Sequence, residues 1–450
     1  MQKNPAELQE KILSLLAEGL MEETRQSLQD VHPVDLAEII SIANLAQQVK
    51  ILRLLEPAKA TQVFLELDRD MLSLLIESLG FQRTADILNV MEPDDAADLL
   101  GELPAELQHR LLNQMKCREA EDVRELLEYD KETAGGIMTT EYVAIREDIT
   151  AAQAIQTLRE IAPDAETVYY VYVVNQENKL VGVLSLRELI IAPLQAAIRD
   201  IMRTKVIRVE VNTDQEEVAR QVAKHDFLAI PVVNAAGELL GIVTVDDVLD
   251  VIEEEATEDI MRMAANVDIE GGYLEASPLR RAGRRLPWLI GLLFGELVAG
   301  HIIEGYAGTL QHMTTLAFFM TALAGGTGNA ATQSLTVVVR GIATGEINPR
   351  QVLGVVLREA QVGLYVGLVS GIVLAVFAFL WQGAPLLGIV VGASLTASIL
   401  VSTILGSFVP VIIKHLGADP ALASGPFIAT IMDITSMFVY FTLATLILLP

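Results

Sequence analysis

The chain has 450 residues, more than one hydrophobic core of ordinary size contains, so two or more domains are expected. Charge is distributed unevenly: residues 1–279 hold 24 basic and 53 acidic side chains, a formal charge of −29, whereas residues 280–450 hold 8 and 6. An acidic surface of this size excludes nucleic acid as a partner and concentrates cations, and the single cysteine, Cys117, excludes a disulfide framework within the chain.

Residues 1–130 are predicted to form an acidic all-α domain of short helices. Helix starts recur about every twelve residues, which is typical of a helical superhelix; they fall at Pro33, Pro57, Arg69, Gln82, Pro93 and Pro104. The segment 92–98, EPDDAAD, combines a proline at a helix start with carboxylates in the first turn. Favourable interaction of these carboxylates with the helix dipole is one explanation of this segment, and cation binding is the alternative.

Residues 131–260 contain an internal repeat. The segments VVN and LVGV, which begin at Val173 and Leu180, recur as VVN and LLGI 59 residues later. The two copies cover about 137–199 and 200–259, and each is predicted as a helix, two short strands joined by a turn, and another helix.

This repeat resembles a tandem CBS domain, which implies an α/β fold. Such pairs often sense ligands, and adenine nucleotides such as ATP are common among them. Tyr170, Arg187 and Phe227 are therefore candidates to border a nucleotide cleft, and a core or surface role is the alternative for each of them.

The segment 246–259 is predicted as an acidic helix that leads towards the apolar half. Asp247, Asp250 and Glu254 stand at i, i+3 and i+7, so their carboxylates share one helical face and repel one another. A bound cation would relieve this repulsion, and a solvated acidic linker is the alternative. Residues 261–285 are predicted to form a connecting helix.

Residues 286–450 are predicted to form an all-α transmembrane domain of five helices. Each of its apolar stretches approaches or exceeds the ~20 residues that cross a hydrocarbon layer; they cover about 287–303, 316–339, 353–380, 386–413 and 427–449. If the acidic half is cytoplasmic, all eight Lys and Arg residues after residue 279 lie inside and none lies in an outer loop. A multi-pass protein of the cell (inner) membrane is predicted, with its N-terminus in the cytoplasm and its C-terminus outside.

Polar residues interrupt these apolar stretches. A carboxylate such as that of Asp433 costs about 2.5–3.5 kcal/mol at the centre of a membrane helix. The segment 325–329, GGTGN, predicts a break in the second helix, and irregular backbone at this depth is tolerated mainly where it lines a cavity. Close helix packing is the alternative for the glycines. The predicted pore-lining residues are Asn329, Gln333, Glu359 and Thr430.

The predicted pore suits Mg²⁺. This ion keeps several of its waters, so one or two carboxylates with carbonyl and hydroxyl oxygens can hold it. One chain supplies one deep aspartate, and a two-fold assembly supplies two copies of Asp433. A homodimer with a shared path is predicted, with divalent cations and membrane lipid as its other partners.

Several short segments are similar to those of the MgtE family of Mg²⁺ channels, which the chain resembles along essentially its whole length. They are AGGIMT at 134–139, TDQEEV at 213–218, GIVTVDDV at 241–248, EATED at 255–259, GADPA at 417–421 and ATIMD at 429–433. The resemblance implies that Asp433 holds the ion in the pore. It also implies a set of cytoplasmic Mg²⁺-sensing residues: Asp94, Asp98, Asp214, Glu216, Asp226, Asp247, Asp250, Glu255, Glu258, Asp259 and Asp419.

The predicted function is that of a Mg²⁺-selective channel or transporter that closes at high internal Mg²⁺. Two alternatives remain: a divalent-cation carrier or exporter coupled to an ion gradient, and a membrane-anchored, nucleotide-sensing CBS regulator. An enzyme is not expected, because the histidines are scattered and the glycine-rich segment 325–328 lacks the lysine of a phosphate loop.

Overall fold

A computed structural model of the chain describes residues 5–67, 69–161, 165–265, 278–348 and 351–448. The chain forms two compact units, Met1–Glu253 and Glu254–Pro450. The division follows the change from acidic to apolar composition, although it falls within a helix rather than at residue 279.

Ten helices among the described residues build the N-terminal part of the first unit. Pro33, Pro57 and Pro93 each open a helix, where the missing N–H of proline costs no hydrogen bond. Several alternate helices pack together, as in a superhelix: the third with the fifth, the fourth with the sixth, the fifth with the seventh, the seventh with the ninth and the eighth with the tenth. The helices are α1 (Pro5–Glu18), α2 (Met21–Gln29), α3 (Pro33–Ile42), α4 (Leu45–Leu54), α5 (Pro57–Leu65), α6 (Arg69–Leu79), α7 (Phe81–Leu88), α8 (Pro93–Gly101), α9 (Ala105–Leu112) and α10 (Cys117–Leu126).

The repeat forms two similar α/β modules. In each module a short first strand pairs in parallel with the second, which pairs antiparallel with the third. The strands are β1 (Ala144–Arg146), β2 (Tyr170–Val174), β3 (Leu180–Ser185), β4 (Val209–Glu210), β5 (Ala229–Val233) and β6 (Leu239–Thr244). The helices are α11 (Ala151–Ile161), α12 (Leu186–Ile191), α13 (Ile198–Ile201), α14 (Gln215–His225) and α15 (Val245–Met263).

The two modules confirm the predicted tandem repeat. Gly182 of β3 lies against the Met202 side chain and Gly241 of β6 lies against Met138, so matching strands make matching contacts. The sequence analysis missed β1 and β4, because strands of three and two residues are too short to show an alternating pattern.

One apolar core joins the helical domain to the second module. It includes Leu100 and Val123 of the helical domain together with Val218, Val243 and Val248 of the second module. The first unit therefore holds α8 and the start of α15 in one packed body.

In the part of the second unit that the structure describes, five long helices fall on the five predicted apolar stretches. Among the described residues, four helices are long and apolar enough to cross a membrane, and they lie in Arg281–Gly305, Val352–Gln382, Pro385–His415 and Gly425–Leu448. The fifth long helix, Ala317–Ala343, is less apolar because of its glycine and polar residues. The helices are α16 (Pro278–Gly305), α17 (Ala307–His312), α18 (Ala317–Ala343), α19 (Val352–Gln382), α20 (Pro385–His415) and α21 (Gly425–Leu448).

The predicted glycine-rich break at 325–329 is wrong, because α18 is continuous. A Cβ atom on Gly326 would lie 3.4 Å from Leu395, and one on Gly328 would lie 3.4 Å from Ala429. Gly326 and Gly328 therefore lie where α18 packs against α20 and α21.

The predicted connecting helix at 261–285 lies only partly within the described residues. Helix α15 carries the acidic segment and ends at Met263, and residues 266–277 lie outside the described residues. Residues 278–285 form the first two turns of α16, so they continue directly into the first apolar helix of the second unit.

Candidate metal centre

Carboxylates from three parts of the first unit converge on one site. In two overlapping groups of three, the carboxylate oxygens lie within 4.8 Å of one another. One group is Glu92, Asp94 and Glu166, and the other is Glu166, Asp246 and Asp247. These five residues are called the acidic cluster below.

Two helix starts and one loop position the acidic cluster. Glu92 and Asp94 flank Pro93 at the start of α8, whereas Asp246 and Asp247 lie in the first turn of α15. The partial positive charge of a helix N-terminus favours carboxylates in both places. The Thr244 hydroxyl donates a hydrogen bond to Asp247 Oδ2, which orients this carboxylate.

Asp94 is the most deeply buried member of the acidic cluster. Asp94 is only 6% exposed, and its Oδ1 is shielded from solvent and has no hydrogen-bond partner among the described residues. An unpaired buried carboxylate is strongly unfavourable, so such a group is normally protonated, paired or bound to a metal. Helix-dipole chemistry explains why Asp94 begins a helix, but it does not explain the unpartnered buried oxygen.

Burial and mutual repulsion raise the pKa values at this site. Burial is the largest cause and raises the pKa of Asp94 well above its usual range, with further increases from Asp247 and Glu166. Burial, followed by Glu92, raises the pKa of Glu166 to about 8. Burial also raises the pKa of Asp95 to about 7, with Glu92 as the next cause. The pKa of Asp247 is raised to about 6, mainly by burial, although the Thr244 hydroxyl opposes the shift.

This arrangement suits a hard divalent cation. Mg²⁺ prefers carboxylate oxygens and fills its remaining positions with water. A bound Mg²⁺ would replace the protons on these carboxylates and supply the missing partner of Asp94 Oδ1.

Two other predicted sensing residues lie close to the acidic cluster in sequence but outside its groups of three. Asp98 is an exposed residue one turn beyond Asp94 on α8, and it contributes to the raised pKa of Asp95. Asp250 is exposed on α15, about one turn beyond Asp247.

Three predicted sensing residues lie at the two ends of α14. Asp214 caps its N-terminus, where Asp214 Oδ1 accepts a 2.9 Å hydrogen bond from the Glu216 backbone N–H. Asp226 ends the helix in a left-handed conformation with φ of 54°. The 11 residues of α14 separate this aspartate from the other two, so the three do not form one site.

The remaining predicted sensing residues belong to the second unit. Glu255, Glu258 and Asp259 lie on the last turns of α15. The Arg262 guanidinium forms ion pairs with both Glu258 and Asp419. Asp419 Oδ1 also accepts a 2.8 Å hydrogen bond from the Ala421 backbone N–H. The structure thus links two predicted sensing residues through an arginine that the sequence analysis did not consider.

Asp433 on α21 has an acidic neighbour inside the second unit. Its carboxyl group lies within hydrogen-bonding distance of Glu296 on α16. The helices approach closely here, because a Cβ atom on Gly295 would collide with the Thr430 side chain. Thr430 is 9% exposed and therefore occupies this helix contact.

The other predicted pore-lining residues lie on α18 and α19. Asn329 and Gln333 are exposed and stand one helical turn apart on α18. Glu359 accepts a 2.7 Å hydrogen bond from Ser334 Oγ, which joins α19 to α18.

Two of the three nucleotide candidates border the same cleft. Tyr170 and Arg187 line a cleft of about 530 Å³ in the first unit, together with Leu228 and others. Phe227 does not line it and stacks on His225 with ring centroids 5.3 Å apart.

The sequence analysis missed several residues at these sites. Glu92, Asp95 and Asp246 adjoin predicted residues, so a wider reading of the same acidic segments would have included them. Glu296 was visible as a carboxylate in an apolar stretch. Glu166 lies in a loop with no recognisable motif, and only the fold brings it to the acidic cluster.

Comparison with known proteins gives the family. Residues 320–443 match the MgtE model, described as a divalent cation transporter, and residues 31–132 match the MgtE intracellular N domain. Residues 134–194 and 198–254 match CBS domains. The magnesium transporter MgtE of Bacillus subtilis is 38% identical over 97% of this chain and 96% of its own length. The chain belongs to the MgtE family.

Other MgtE relatives agree with this membership. The magnesium transporter MgtE of Thermus thermophilus is 44% identical over 72% of each chain. The crystal structure of the cytosolic domain of the Mg²⁺ channel MgtE in complex with ATP is 42% identical, with a TM-score of 0.52. It covers 53% of this chain and 98% of its own. Membership of this transporter family, together with the apolar helices, places the protein in a membrane.

Proposed function

We propose that this MgtE-family protein is a Mg²⁺-selective membrane channel that closes when cytoplasmic Mg²⁺ is plentiful. The observation that carries the proposal is the acidic cluster, in which a buried Asp94 oxygen accepts no hydrogen bond from the part of the chain that the structure describes. The named relatives are magnesium transporters, which supports Mg²⁺ as the transported ion.

Gating follows from the charge of the acidic cluster. Without Mg²⁺, the carboxylates of α8 and α15 repel one another, which favours an open arrangement of the first unit. Mg²⁺ favours the compact state because it binds that state more tightly. Helix α15 begins in the acidic cluster and ends near Arg262, which pairs with Asp419 in the loop before α21. A change at α15 can therefore act on the membrane unit.

The ion path is assigned to Asp433 and the polar face of α18. Asn329 and Gln333 are exposed on a membrane helix, and exposed amides fit a watery path or a subunit interface better than lipid. A two-fold homodimer would place two Asp433 carboxylates around a shared path. Glu359 and Thr430 support the walls of this path through their contacts with neighbouring helices.

The proposed topology places the N-terminus in the cytoplasm and the C-terminus outside the cell membrane. The distribution of Lys and Arg after residue 279 supports this orientation. The proposed domains are the helical domain (1–130), the CBS pair (131–260) and the membrane domain from residue 286 onwards.

Ion flux into liposomes that contain the purified protein tests the transport function. Asp433→Asn removes the charge with little change in size, and we expect Mg²⁺ flux to fall at least about tenfold, which corresponds to 1.4 kcal/mol. Glu304→Gln is the matched control, because Glu304 is an exposed carboxylate near the end of α16. Equal flux from Asp433→Asn and the parent would contradict the assignment.

The same liposomes separate the proposed channel from its alternatives. Flux that follows the membrane potential alone supports a channel, whereas dependence on a proton or Na⁺ gradient supports a coupled carrier. Protein that carries no flux under any gradient would be a membrane-anchored regulator. Added Mg²⁺ on the side of the first unit should stop the flux.

A second candidate function is nucleotide binding by the CBS pair. The cleft beside Tyr170 and Arg187 favours it, and the cytosolic domain of a relative was solved in complex with ATP. An aromatic ring and a guanidinium suit an adenine base and a phosphate respectively. Equilibrium binding of ATP to the full-length protein, with Arg187→Ala for comparison, tests this assignment.

A further inference from the structure

Glu166 is the member common to both groups in the acidic cluster. Glu92 and Asp94 come from the helical domain, and Asp246 and Asp247 come from the second CBS copy. Glu166 comes from the first copy, in the loop that precedes β2. If its carboxylate is removed, neither group of three remains.

The fold holds Glu166 at this position through its backbone. The Glu166 N–H donates a 3.0 Å hydrogen bond to the carbonyl oxygen of Glu141. Two residues before Glu141, the Thr139 N–H donates a 2.8 Å hydrogen bond to the carbonyl oxygen of Ile242 in β6. Strand β6 leads directly into α15. The loop of the first copy is therefore anchored beside the helix start that supplies Asp246 and Asp247.

Two buried carboxylate oxygens of the acidic cluster are available to bind a cation. Asp94 Oδ1 and Glu166 Oε2 are both shielded from solvent and have no hydrogen-bond partner among the residues described, although the Thr139 and Thr244 hydroxyls also lie at the Glu166 carboxyl group. The charged groups that act most strongly on Asp94 are the carboxylates of Asp247, Glu166, Asp95 and Glu92. A hard cation between these oxygens satisfies both at once.

We propose that Glu166 is a Mg²⁺ ligand contributed by the first CBS copy, so that one bound ion joins the helical domain to both CBS copies. The proposal rests on the proposed Mg²⁺-sensing function and extends it. It makes the first copy, which also carries the cleft beside Tyr170, a direct participant in the sensor.

Amide hydrogen exchange of the full-length protein in detergent tests the proposal. Peptides that cover α8 and the start of α15 are followed as MgCl₂ is added, with KCl keeping the ionic strength constant. In Glu166→Gln, we expect half-maximal protection to need about tenfold more Mg²⁺, since affinity for such ions depends on the number of charged ligands. The matched control is Glu160→Gln, whose carboxylate is exposed in the same copy and should leave the titration unchanged.

A purely structural role for Glu166 predicts a different result. Loss of a structural residue would speed exchange without Mg²⁺, whereas loss of a repelling ligand should leave that exchange equal or slower. A Glu166→Gln titration that matches the parent, or faster exchange without Mg²⁺, would overturn the inference. If the parent itself shows no protection by Mg²⁺, the proposed sensing function fails as well, so the two failures are distinguishable.

Discussion

At the scale of single residues, Asp94 shows most clearly how a carboxylate is prepared for an ion. Its helix start supplies a favourable dipole, yet the buried side chain leaves Oδ1 without a partner. Folding thus places a charge where water cannot reach it, and the protein tolerates this cost because a proton or a cation can occupy the site.

The Asp94→Asn variant should distinguish the effect of a bound proton from that of bound Mg²⁺. Without Mg²⁺ at about pH 8, we expect the variant to be more stable than the parent by on the order of 1 kcal/mol, the usual size of a single-residue effect, because the neutral amide avoids ionisation of a buried carboxyl group whose pKa is raised. The gain in melting temperature on adding Mg²⁺ should shrink. Differential scanning calorimetry of the detergent-solubilised protein measures both effects.

Glu106→Gln is the control for this experiment, since Glu106 is an exposed carboxylate in the first turn of the next helix, α9. Its effect should stay within about 0.5 kcal/mol. An Asp94→Asn variant that loses stability but keeps the full response to Mg²⁺ would contradict the role given to Asp94.

The sequence predicted some of these residues and could not predict others. Asp247 was found because it lies in a segment that resembles the family. Asp94 was found because segment 92–98 combines a helix-start proline with carboxylates, and the resemblance implies a sensing role for it. Glu166 has no such neighbours, and its role depends on two backbone hydrogen bonds that link a loop to β6. Arg262 was missed because its partner Asp419 is 157 residues away in the sequence, and only the folded chain brings the two side chains together.

At the scale of elements, glycine has a different role in the membrane unit from the one predicted. The glycine-rich segment 325–329 was predicted to break α18, but that helix is continuous. On α19, Gly363, Gly367 and Gly371 recur every fourth residue and face α20. The Thr396 hydroxyl donates a 2.9 Å hydrogen bond to the Gly367 carbonyl across this contact. A helix surface without Cβ atoms lets the backbones of two helices approach closely. Local helix propensities do not reveal such a contact, because it depends on the neighbouring helix.

Gly371→Ala should weaken the contact between α19 and α20. The added Cβ would lie 2.6 Å from the Gly392 carbonyl oxygen, and overpacking of this kind costs about 1–3 kcal/mol. We expect a lower melting temperature in detergent, followed by the fluorescence of Trp381 on α19.

Gly354→Ala, also on α19, is the control because a Cβ there meets nothing within 4 Å. Alanine is the better helix former, so this variant should lose no stability. Equal melting temperatures for the two variants would show that stability does not depend on the close approach of α19 and α20 at Gly371.

At the scale of the whole molecule, charge distribution predicted the division into two units but not its position. Composition changes at residue 279, whereas the structural boundary follows Glu253. The difference arises because α15 is a single helix from Val245 to Met263 and continues through the boundary. Packing contacts, rather than acidic composition, determine where one compact body ends, and here they change within α15.

The pKa values of the acidic cluster predict how stability depends on pH and Mg²⁺. In the folded protein, the pKa values of Asp247, Asp95 and Glu166 are raised to about 6, 7 and 8. The unfolded chain loses these protons near pH 4. The folded state binds more protons than the unfolded state between these limits. The contribution of these three groups to stability is therefore present in full below about pH 4 and is lost as pH rises towards about 8.

Mg²⁺ should reverse this loss, because it replaces the protons and pairs with the ionised carboxylates. We therefore expect the melting temperature without Mg²⁺ to fall by on the order of a few degrees between about pH 6 and pH 8.5. The increase caused by MgCl₂ should be larger at the higher pH. Calorimetry with NaCl at equal ionic strength separates specific binding from screening. A Mg²⁺-free melting temperature that rises over this range would mean that these carboxylates are not protonated in the folded state. A response that NaCl reproduces would mean that they do not form a Mg²⁺ site.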